Sequence, residues 1–347
     1  MELYELTERE KTVLRYVIHQ FVLTANPVGS RNISKKYNIG YSPATIRNVM
    51  SDLEDSGLLG QPHTSAGRIP TDRGYRFYVD SLMDPPKLTK KVQKFVEVNI
   101  DPIKSETDEL IKITSQILSE ITNQIACVTY PKFENSILEK IQIVQLSSNR
   151  ILVVVAIKSG LVRTITLELT TSIEFKNLQH VQNILNDRLS GLQFSEIKET
   201  FAARLQDLNK EKLKPIIRVF VDSIDKIFSD NRLEDKAIIS GTKNILKQPE
   251  FEEFENIQGI IELVEDKDVI IHFMEKKSSE HPGEISITIG KENIDEKLSD
   301  YSMILRDYKI GEATGTVGVI GPKRMQYSKV LASVMYVTEA LTKQLRA

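Results

Sequence analysis

The sequence predicts an α+β protein of several domains, with a winged helix-turn-helix at its N-terminus and a larger region built on an antiparallel sheet. The chain has 347 residues, enough for about two to three domains of ~100–200 residues each. Residues 7–82 contain helical patterns in close succession with one hairpin pattern. Farther along, strand-like runs separated by short turns are flanked by amphipathic helical segments, which is the arrangement of an α+β domain.

The first two helices are predicted from their ends. A capping box begins the first one, with Thr7 as N-cap and Glu10 three positions later. This helix must end before Pro27, because proline disfavours helical geometry in the residue before it. A second, short helix is expected to begin with Ser30 as its N-cap and to end at the turn Asn38-Ile39-Gly40.

The third helix, residues 43–55, has the clearest signals. Ser42 is a favourable N-cap, Pro43 is favourable at the first helical position, and Gly57 supplies the stop. One face is apolar and comprises Ile46, Val49, Met50 and Leu53. The opposite face presents small or hydrogen-bonding side chains, namely Ala44, Arg47, Asn48 and Ser51, with Thr45 at its edge. Arginine suits guanine and asparagine suits adenine, so this segment is the predicted recognition helix.

A wing is predicted next. Residues 58–61 can form a short strand, residues 62–68 a polar turn, and Ile69-Pro70 the returning strand. Thr71 or Asp72 then caps a helix that ends before Pro85-Pro86. The predicted DNA-binding residues are Ser42, Ala44, Thr45, Arg47, Asn48 and Ser51 on the recognition helix, Ser30 and Arg31 on the second helix, and His63, Thr64, Ser65 and Arg68 on the wing.

The distribution of charge is compatible with this assignment. The whole chain has a formal net charge of −2, whereas residues 28–78 carry seven basic and four acidic side chains. An ordinary solvated surface would look similar, so charge alone does not decide between the two.

Several classes are excluded or disfavoured. No apolar stretch is long enough for a transmembrane helix, and the acidic, polar start lacks the features of a secretory signal. The single cysteine, Cys127, allows no intrachain disulfide and suits a reducing compartment, so a cytoplasmic location is expected. The five histidines are scattered, and no catalytic constellation, metal site or cofactor site is predicted.

The remaining chain alternates helical and strand patterns. A long amphipathic helix with isoleucines up to Ile125 is expected, then an antiparallel meander at 141–146, 151–157 and 161–169, with the middle run central. Helices are predicted within 174–230, at 251–265 and from Val330 to Leu345, and strands at 269–274, 285–289, 301–308 and 315–320. The glycines at 315, 318 and 321 lack the order of a phosphate-binding loop, so a glycine-bearing strand that leads into a helix is expected.

Several strings resemble a known family. PVGSR, SPATIRN, PHTSAGR and PTDRGYRFYVD occur in order within residues 27–80, and together they resemble the N-terminal signature of the bacterial HrcA repressors. GPKRMQYSKV at 321–330 is similar to the C-terminal motif of that family, with Lys323 where threonine is more usual. The resemblance implies a winged-helix domain at 1–85, a GAF-like domain at 86–190 and 251–347, and an inserted, mainly helical dimerisation domain at 191–250.

The resemblance also implies a function. It implies a repressor of heat-shock chaperone operons that binds an inverted-repeat operator, is released on heat stress, and depends on the GroE chaperonin for its active form. One recognition helix covers only about four base pairs, so a homodimer on double-stranded DNA is expected. No enzymatic activity, cofactor or membrane partner is expected. Two alternatives remain open: a metabolite-responsive regulator with an effector in the GAF-like pocket, and a winged helix that serves only protein contacts.

Overall fold

The computed structural model describes residues 5–63, 66–84, 87–101, 107–169, 175–207, 213–228, 236–252, 254–280 and 282–345. The chain divides into two compact units. Unit 1 comprises Met1–Thr129, Ala237–Asp307 and Thr316–Gln344, and unit 2 comprises Tyr130–Lys236, Tyr308–Gly315 and Leu345–Ala347. Within the described ranges, no helix has both the length and the apolar character that crossing a membrane requires.

Unit 1 begins with three helices and a hairpin. These elements are α1 (Glu8–Thr24), α2 (Ser30–Lys36), α3 (Pro43–Asp55), β1 (Leu59–Gly60), β2 (Ile69–Pro70) and α4 (Asp72–Phe77), and a π-helical turn at Tyr78–Leu82 extends α4. The predicted capping box is confirmed, since the Glu10 amide donates to Thr7 Oγ1 at 3.3 Å and the Thr7 amide donates to Glu10 Oε2 at 2.7 Å. The N-cap of α2 is Gly29 and not Ser30, because Ser30 is already part of the helix and Gly29 has the extended geometry of a cap, with φ −94° and ψ 147°.

Two helices and a strand follow, namely α5 (Lys90–Ile100), α6 (Thr107–Thr122) and β3 (Ile125–Thr129). The sequence analysis did not identify α5. It also placed Ile125 in the helix, and the structure corrects this. Asn123 adopts a left-handed φ of 55°, which interrupts the helix and lets the next residues extend into a strand.

Unit 2 contains the predicted meander of β4 (Leu138–Gln145), β5 (Arg150–Ile157) and β6 (Val162–Glu168), with β5 in the centre and both pairings antiparallel. Four helices follow: α7 (Phe175–Leu189), α8 (Phe194–Arg204), α9 (Lys214–Asp222) and α10 (Ile224–Phe228). The strands and helices share one core that includes Val153, Leu185 and Phe220. The strands and helices form one compact unit, because they bury their apolar faces against each other, and the expected inserted domain at 191–250 stays a prediction.

The chain then completes the sheet of unit 1. Its last elements are β7 (Ala237–Ser240), α11 (Thr242–Ile245), α12 (Phe254–Glu265), α13 (Lys267–Glu280), β8 (Ile285–Ile289), β9 (Tyr301–Ile310), β10 (Ala313–Pro322) and α14 (Tyr327–Gln344). The five-stranded sheet has the order β7-β3-β10-β9-β8. Ile125 and Cys127 of β3 share a core with residues of α12 and α13, including Ile260 and Met274. The expected strands at 285–289, 301–308 and 315–320 are confirmed, the last two with longer bounds.

The expected strand at 269–274 is wrong, because these residues belong to α13. Ile270, Ile271, Phe273 and Met274 are buried, a spacing that also fits one face of a helix, and a short apolar run does not distinguish the two by itself. The glycine-bearing strand is confirmed as β10. A Cβ at Gly318 would lie 2.6 Å from Leu305 Cδ2 and 2.9 Å from Met274 Cε, so the glycine lets α13 lie close to the sheet.

Candidate nucleic-acid interface

Helix α3 has one buried face and one exposed face. Ser42 caps it by accepting a hydrogen bond from the Thr45 amide at 3.1 Å, and Pro43 occupies its first turn. Its buried residues are Ile46, Val49, Met50 and Leu53, as predicted. The helix packs on α1 and α2, which contribute the fully buried Val17 and Ile33 to this small core.

The opposite face of α3 is open to solvent. Ser42, Ala44, Arg47, Asn48 and Ser51 are exposed, and Thr45 is half-buried at the edge. The exposure of this face therefore agrees with the sequence pattern. Asp52 and Asp55 are also exposed, at the C-terminal end of the helix. The exposed face is thus basic and polar toward its N-terminal end and acidic toward its C-terminal end.

Helix α2 is fixed to α1 through aromatic and polar contacts. The Tyr37 ring lies 4.5 Å from the Tyr16 ring, measured between centroids. The Tyr37 hydroxyl donates to Gln20 Oε1 at 3.1 Å and lies 2.8 Å from His19 Nδ1. Burial raises the pKa of Tyr37, so the hydroxyl keeps its proton for this bond. Of the two α2 residues predicted to bind DNA, Arg31 is exposed and Ser30 is half-buried.

The hairpin of β1 and β2 is held beside α2 by backbone pairing. Leu59 pairs with Pro70 in the hairpin. The Val28 amide donates to Arg68 O and the Arg68 amide donates to Val28 O, both at 2.9 Å. Gly67 allows this approach, because a Cβ there would lie 2.5 Å from the Val28 carbonyl. Toward the tip, His63 is exposed, whereas the predicted Thr64 and Ser65 lie outside the described residues.

The sequence predicts Arg68 as a DNA-binding residue of the wing, but in the structure its side chain is mostly buried in an ion pair. Its Nη2 lies 2.6 Å from Glu54 Oε2, and the side chains are 20% and 29% exposed. This ion pair joins the hairpin to α3. The sequence analysis missed Glu54, because the two residues lie 14 positions apart and no local periodicity relates them. The cation expected to meet phosphates is therefore already neutralised by a carboxylate of the predicted recognition helix.

Other cations remain available on this surface. Arg31, Lys35 and Arg47 are exposed, and within the described part of the chain none of them forms an ion pair. Lys36 lies over the Tyr37 ring at 5.9 Å from its centroid. Available positive charge therefore lies on α2 and on the first half of α3. That arrangement suits an anionic partner.

A second set of contacts joins this N-terminal region to the sheet of unit 1. The Arg76 guanidinium pairs with Glu292, and the Lys291 amide donates to Asp72 Oδ2 at 3.1 Å. From the loop after β10, the Arg324 guanidinium donates to the Val22 carbonyl. These partners are separated by more than two hundred positions in the sequence, so no local pattern could have identified them.

Similarity to known proteins covers the whole chain. The sequence profile of the HrcA protein C-terminal domain matches residues 108–331. The heat-inducible transcription repressor HrcA of Chlorobium phaeobacteroides (strain BS1) is 37% identical over 355 residues, which covers 99% of this chain and 100% of the relative. The protein of the same name from Chlorobium chlorochromatii is 38% identical over 348 residues, and the alignment covers 99% of each protein.

One solved structure has the same fold. It is a crystal structure of a hypothetical protein at 2.2 Å resolution, with a TM-score of 0.60, 21% sequence identity and coverage of 99% of each chain. Because the profile match spans most of the chain and the relatives align over its full length, this chain belongs to the HrcA family.

Proposed function

We propose that the chain is a winged-helix transcription repressor that binds an inverted-repeat operator of heat-shock chaperone operons as a homodimer. The observation that carries the proposal is the two-faced α3, whose exposed side presents Arg47 and Asn48 beside a hairpin. The name of the curated relatives, heat-inducible transcription repressor, supports a regulatory role under heat. In this proposal α2 and α3 form the helix-turn-helix, the hairpin is the wing, and the sheet of unit 1 is the GAF-like domain.

Helix α3 is proposed to enter the major groove with its N-terminal half. Arg47 can donate two hydrogen bonds to one guanine, and Asn48 can both donate to and accept from one adenine. The positive end of the helix dipole lies on the same side. Asp52 and Asp55 would then lie toward the rim of the groove. Repulsion between their carboxylates and the DNA phosphates would oppose deeper insertion of α3. Arg31 and Lys35 of α2 are placed to contact phosphates.

Dimerisation follows from the size of the contact. One recognition helix covers about four base pairs, and a sequence that short occurs many times in a genome. Two copies related by a twofold axis double the site and match an inverted repeat. The proposed dimerisation region is the inserted segment 191–250, and the sequence resemblance to the HrcA family supports that role.

Heat is proposed to weaken repression by loosening the packing that holds the two recognition helices at operator spacing. Native proteins are only marginally stable, so a modest rise in temperature suffices to change a packed interface. The GroE chaperonin would restore the binding-competent form. The resemblance to the HrcA family is the support for this last step.

The test of DNA binding is a salt-titrated mobility-shift assay with an inverted-repeat duplex and a scrambled duplex of equal length. Arg47→Ala and Asn48→Ala should each weaken operator binding by about 1–3 kcal/mol and leave binding to scrambled DNA nearly unchanged. Lys276→Ala is the control, since Lys276 is an exposed cation of α13 that lies outside the predicted DNA contacts and outside the proposed dimerisation region. Equal losses on both duplexes would contradict the assignment of α3.

Two further outcomes would change the proposal. Absence of any salt-dependent shift would favour a winged helix that serves only protein contacts. A monomer by sedimentation at the concentration that saturates the operator would count against the dimer. The heat step is tested by incubating the protein at raised temperature and then measuring operator binding with and without GroE and ATP. Recovery that is equal in both samples would remove the chaperonin from the proposal.

A further inference from the structure

A cavity of about 560 Å³ lies within unit 1. Phe21, Pro70 and Tyr75, from the N-terminal helices and hairpin, line one side. Glu262 of α12 and Tyr301 at the start of β9 line the other side. Small-molecule sites in proteins have volumes of roughly 300–1,000 Å³, so the cavity has the size of a ligand site.

The charge of the lining is negative. Six carboxylates line the cavity: Asp72, Glu250, Glu255, Glu262, Glu296 and Asp300. The three lining cations, Lys297, Lys323 and Arg324, are each already paired with carboxylates. Glu255 and Glu296 are exposed and form no ion pair among the described residues. A cation entering the cavity would therefore meet carboxylates whose charge is not yet offset.

A buried hydroxyl supplies an independent observation. Tyr75 is only 2% exposed, and its hydroxyl has no hydrogen-bond partner in the described part of the chain. Burial raises the pKa of Tyr75 well above its usual range, so the hydroxyl keeps its proton. Tyr75 itself is one of the residues that line the cavity. A buried polar group without a partner costs free energy, and a hydrogen-bonding ligand would remove that cost.

The lining also offers an aromatic surface. The rings of Phe251 and Tyr301 are stacked, with centroids 6.4 Å apart and an interplanar angle of 12°. Burial, and then the neighbouring Asp300, raise the pKa of Tyr301 to about 12, so this side chain stays neutral at physiological pH. Neutral aromatic rings attract cations and pack against aliphatic chains.

We propose that this cavity binds a small organic cation, an amine carried on a short aliphatic chain. The ammonium group would donate hydrogen bonds to the carboxylates of α12 and to the Tyr75 oxygen, and the chain would lie against Phe251 and Tyr301. An anionic ligand fits less well, because each lining cation already has a carboxylate partner. The ligand would touch both the N-terminal region and the sheet side. Any effect on DNA binding rests on the proposed function, whereas binding of the amine does not.

The test is isothermal titration calorimetry on the full chain without DNA, with putrescine as the probe. 1,4-Butanediol is the neutral control of the same length, and sodium chloride at matched ionic strength is the salt control. Putrescine should bind saturably with one site per chain, and butanediol should not bind. Inorganic phosphate serves as the anionic probe, and it should release no saturable heat.

Variants distinguish specific binding of putrescine in the cavity from general attraction between the amine and an acidic surface. Tyr75→Phe should weaken putrescine binding about tenfold, since it removes one hydrogen bond to a charged group. Glu262→Gln should weaken it several-fold. Glu265→Gln, an exposed residue of the same helix that does not line the cavity, should leave it unchanged.

Three results would overturn the proposal: no saturable heat with putrescine, equal binding of putrescine and butanediol, or equal effects of Glu262→Gln and Glu265→Gln. Circular dichroism checks the folding of Tyr75→Phe. If Tyr75→Phe unfolds, the comparison of Glu262→Gln with Glu265→Gln tests the proposal without it. Because DNA is absent, a negative result here leaves the proposed repressor function standing, and a failed operator assay leaves this site standing.

Discussion

The ion pair between Arg68 and Glu54 allows a test that depends on the sign of the effect. If Arg68 contacts DNA phosphates directly, removing Glu54 frees a cation and removes a negative charge, so DNA binding should strengthen. If Arg68 instead holds the hairpin against α3, removing Glu54 loosens the hairpin, so DNA binding should weaken. The geometry favours the second outcome, because the two charges are 2.6 Å apart and both side chains are less than one-third exposed.

The magnitude follows from this partial burial. Fully exposed pairs contribute about 0–1 kcal/mol, and removing one partner of a buried pair costs about 3–5 kcal/mol. An intermediate burial places the cost of losing Glu54 at about 1–2 kcal/mol. The two backbone bonds between Val28 and Arg68 still hold part of the hairpin. We therefore expect about 1 kcal/mol of the cost of losing Glu54 to appear in operator binding, which corresponds to an affinity about fivefold lower.

The assay is a double-mutant cycle in operator binding, with Glu54→Met, Arg68→Met and the double variant. Methionine keeps a long helix-compatible side chain and removes the charge. Each single variant should weaken binding by a similar factor, and the double variant should weaken it little further, because the two residues act as a unit.

The opposite pattern would refute this reasoning. Tighter binding by Glu54→Met, together with a salt dependence that falls by about one unit of slope in Arg68→Met, would make Arg68 a direct phosphate contact. Additive effects in the double variant would likewise show that the two side chains act independently.

Three other predictions concern packing. Gly67→Ala places a Cβ 2.5 Å from facing backbone atoms, whereas a Cβ at Gly60, in the same hairpin, has its nearest contact with Thr71 Cγ2 at 3.7 Å. The first change should lower the free energy of unfolding by about 1–3 kcal/mol, and Gly60→Ala should lower it little, as measured by thermal unfolding. Arg324→Met removes the guanidinium that donates to the Val22 carbonyl, so hydrogen exchange at the end of α1 should accelerate, and unchanged exchange would count against this contact. Burial raises the pKa of the Cys127 thiol to about 12, so Ellman's reagent at pH 8 should detect no thiol in the folded chain and one after denaturation.

Local signals predicted the N-terminal elements well. The capping box at Thr7, the Ser42-Pro43 start of α3 and the turn at Gly57 each depend on groups within a few residues of one another. The alternation of apolar residues in the meander was equally local. Short apolar runs were less decisive. Residues 269–274 satisfy both a strand and a helix pattern, and only their packing against the sheet of unit 1 selects the helix.

The first three helices, the two faces of α3 and the exposure of Arg47 and Asn48 were determined by the sequence itself, because helix periodicity places neighbouring residues on defined faces. Only the tertiary structure decided that Glu54 neutralises Arg68, that Arg324 reaches the first helix, and that Tyr75 lines a cavity. Such contacts join residues far apart in the chain. Their formation depends on how separate elements pack, and no local spacing encodes that.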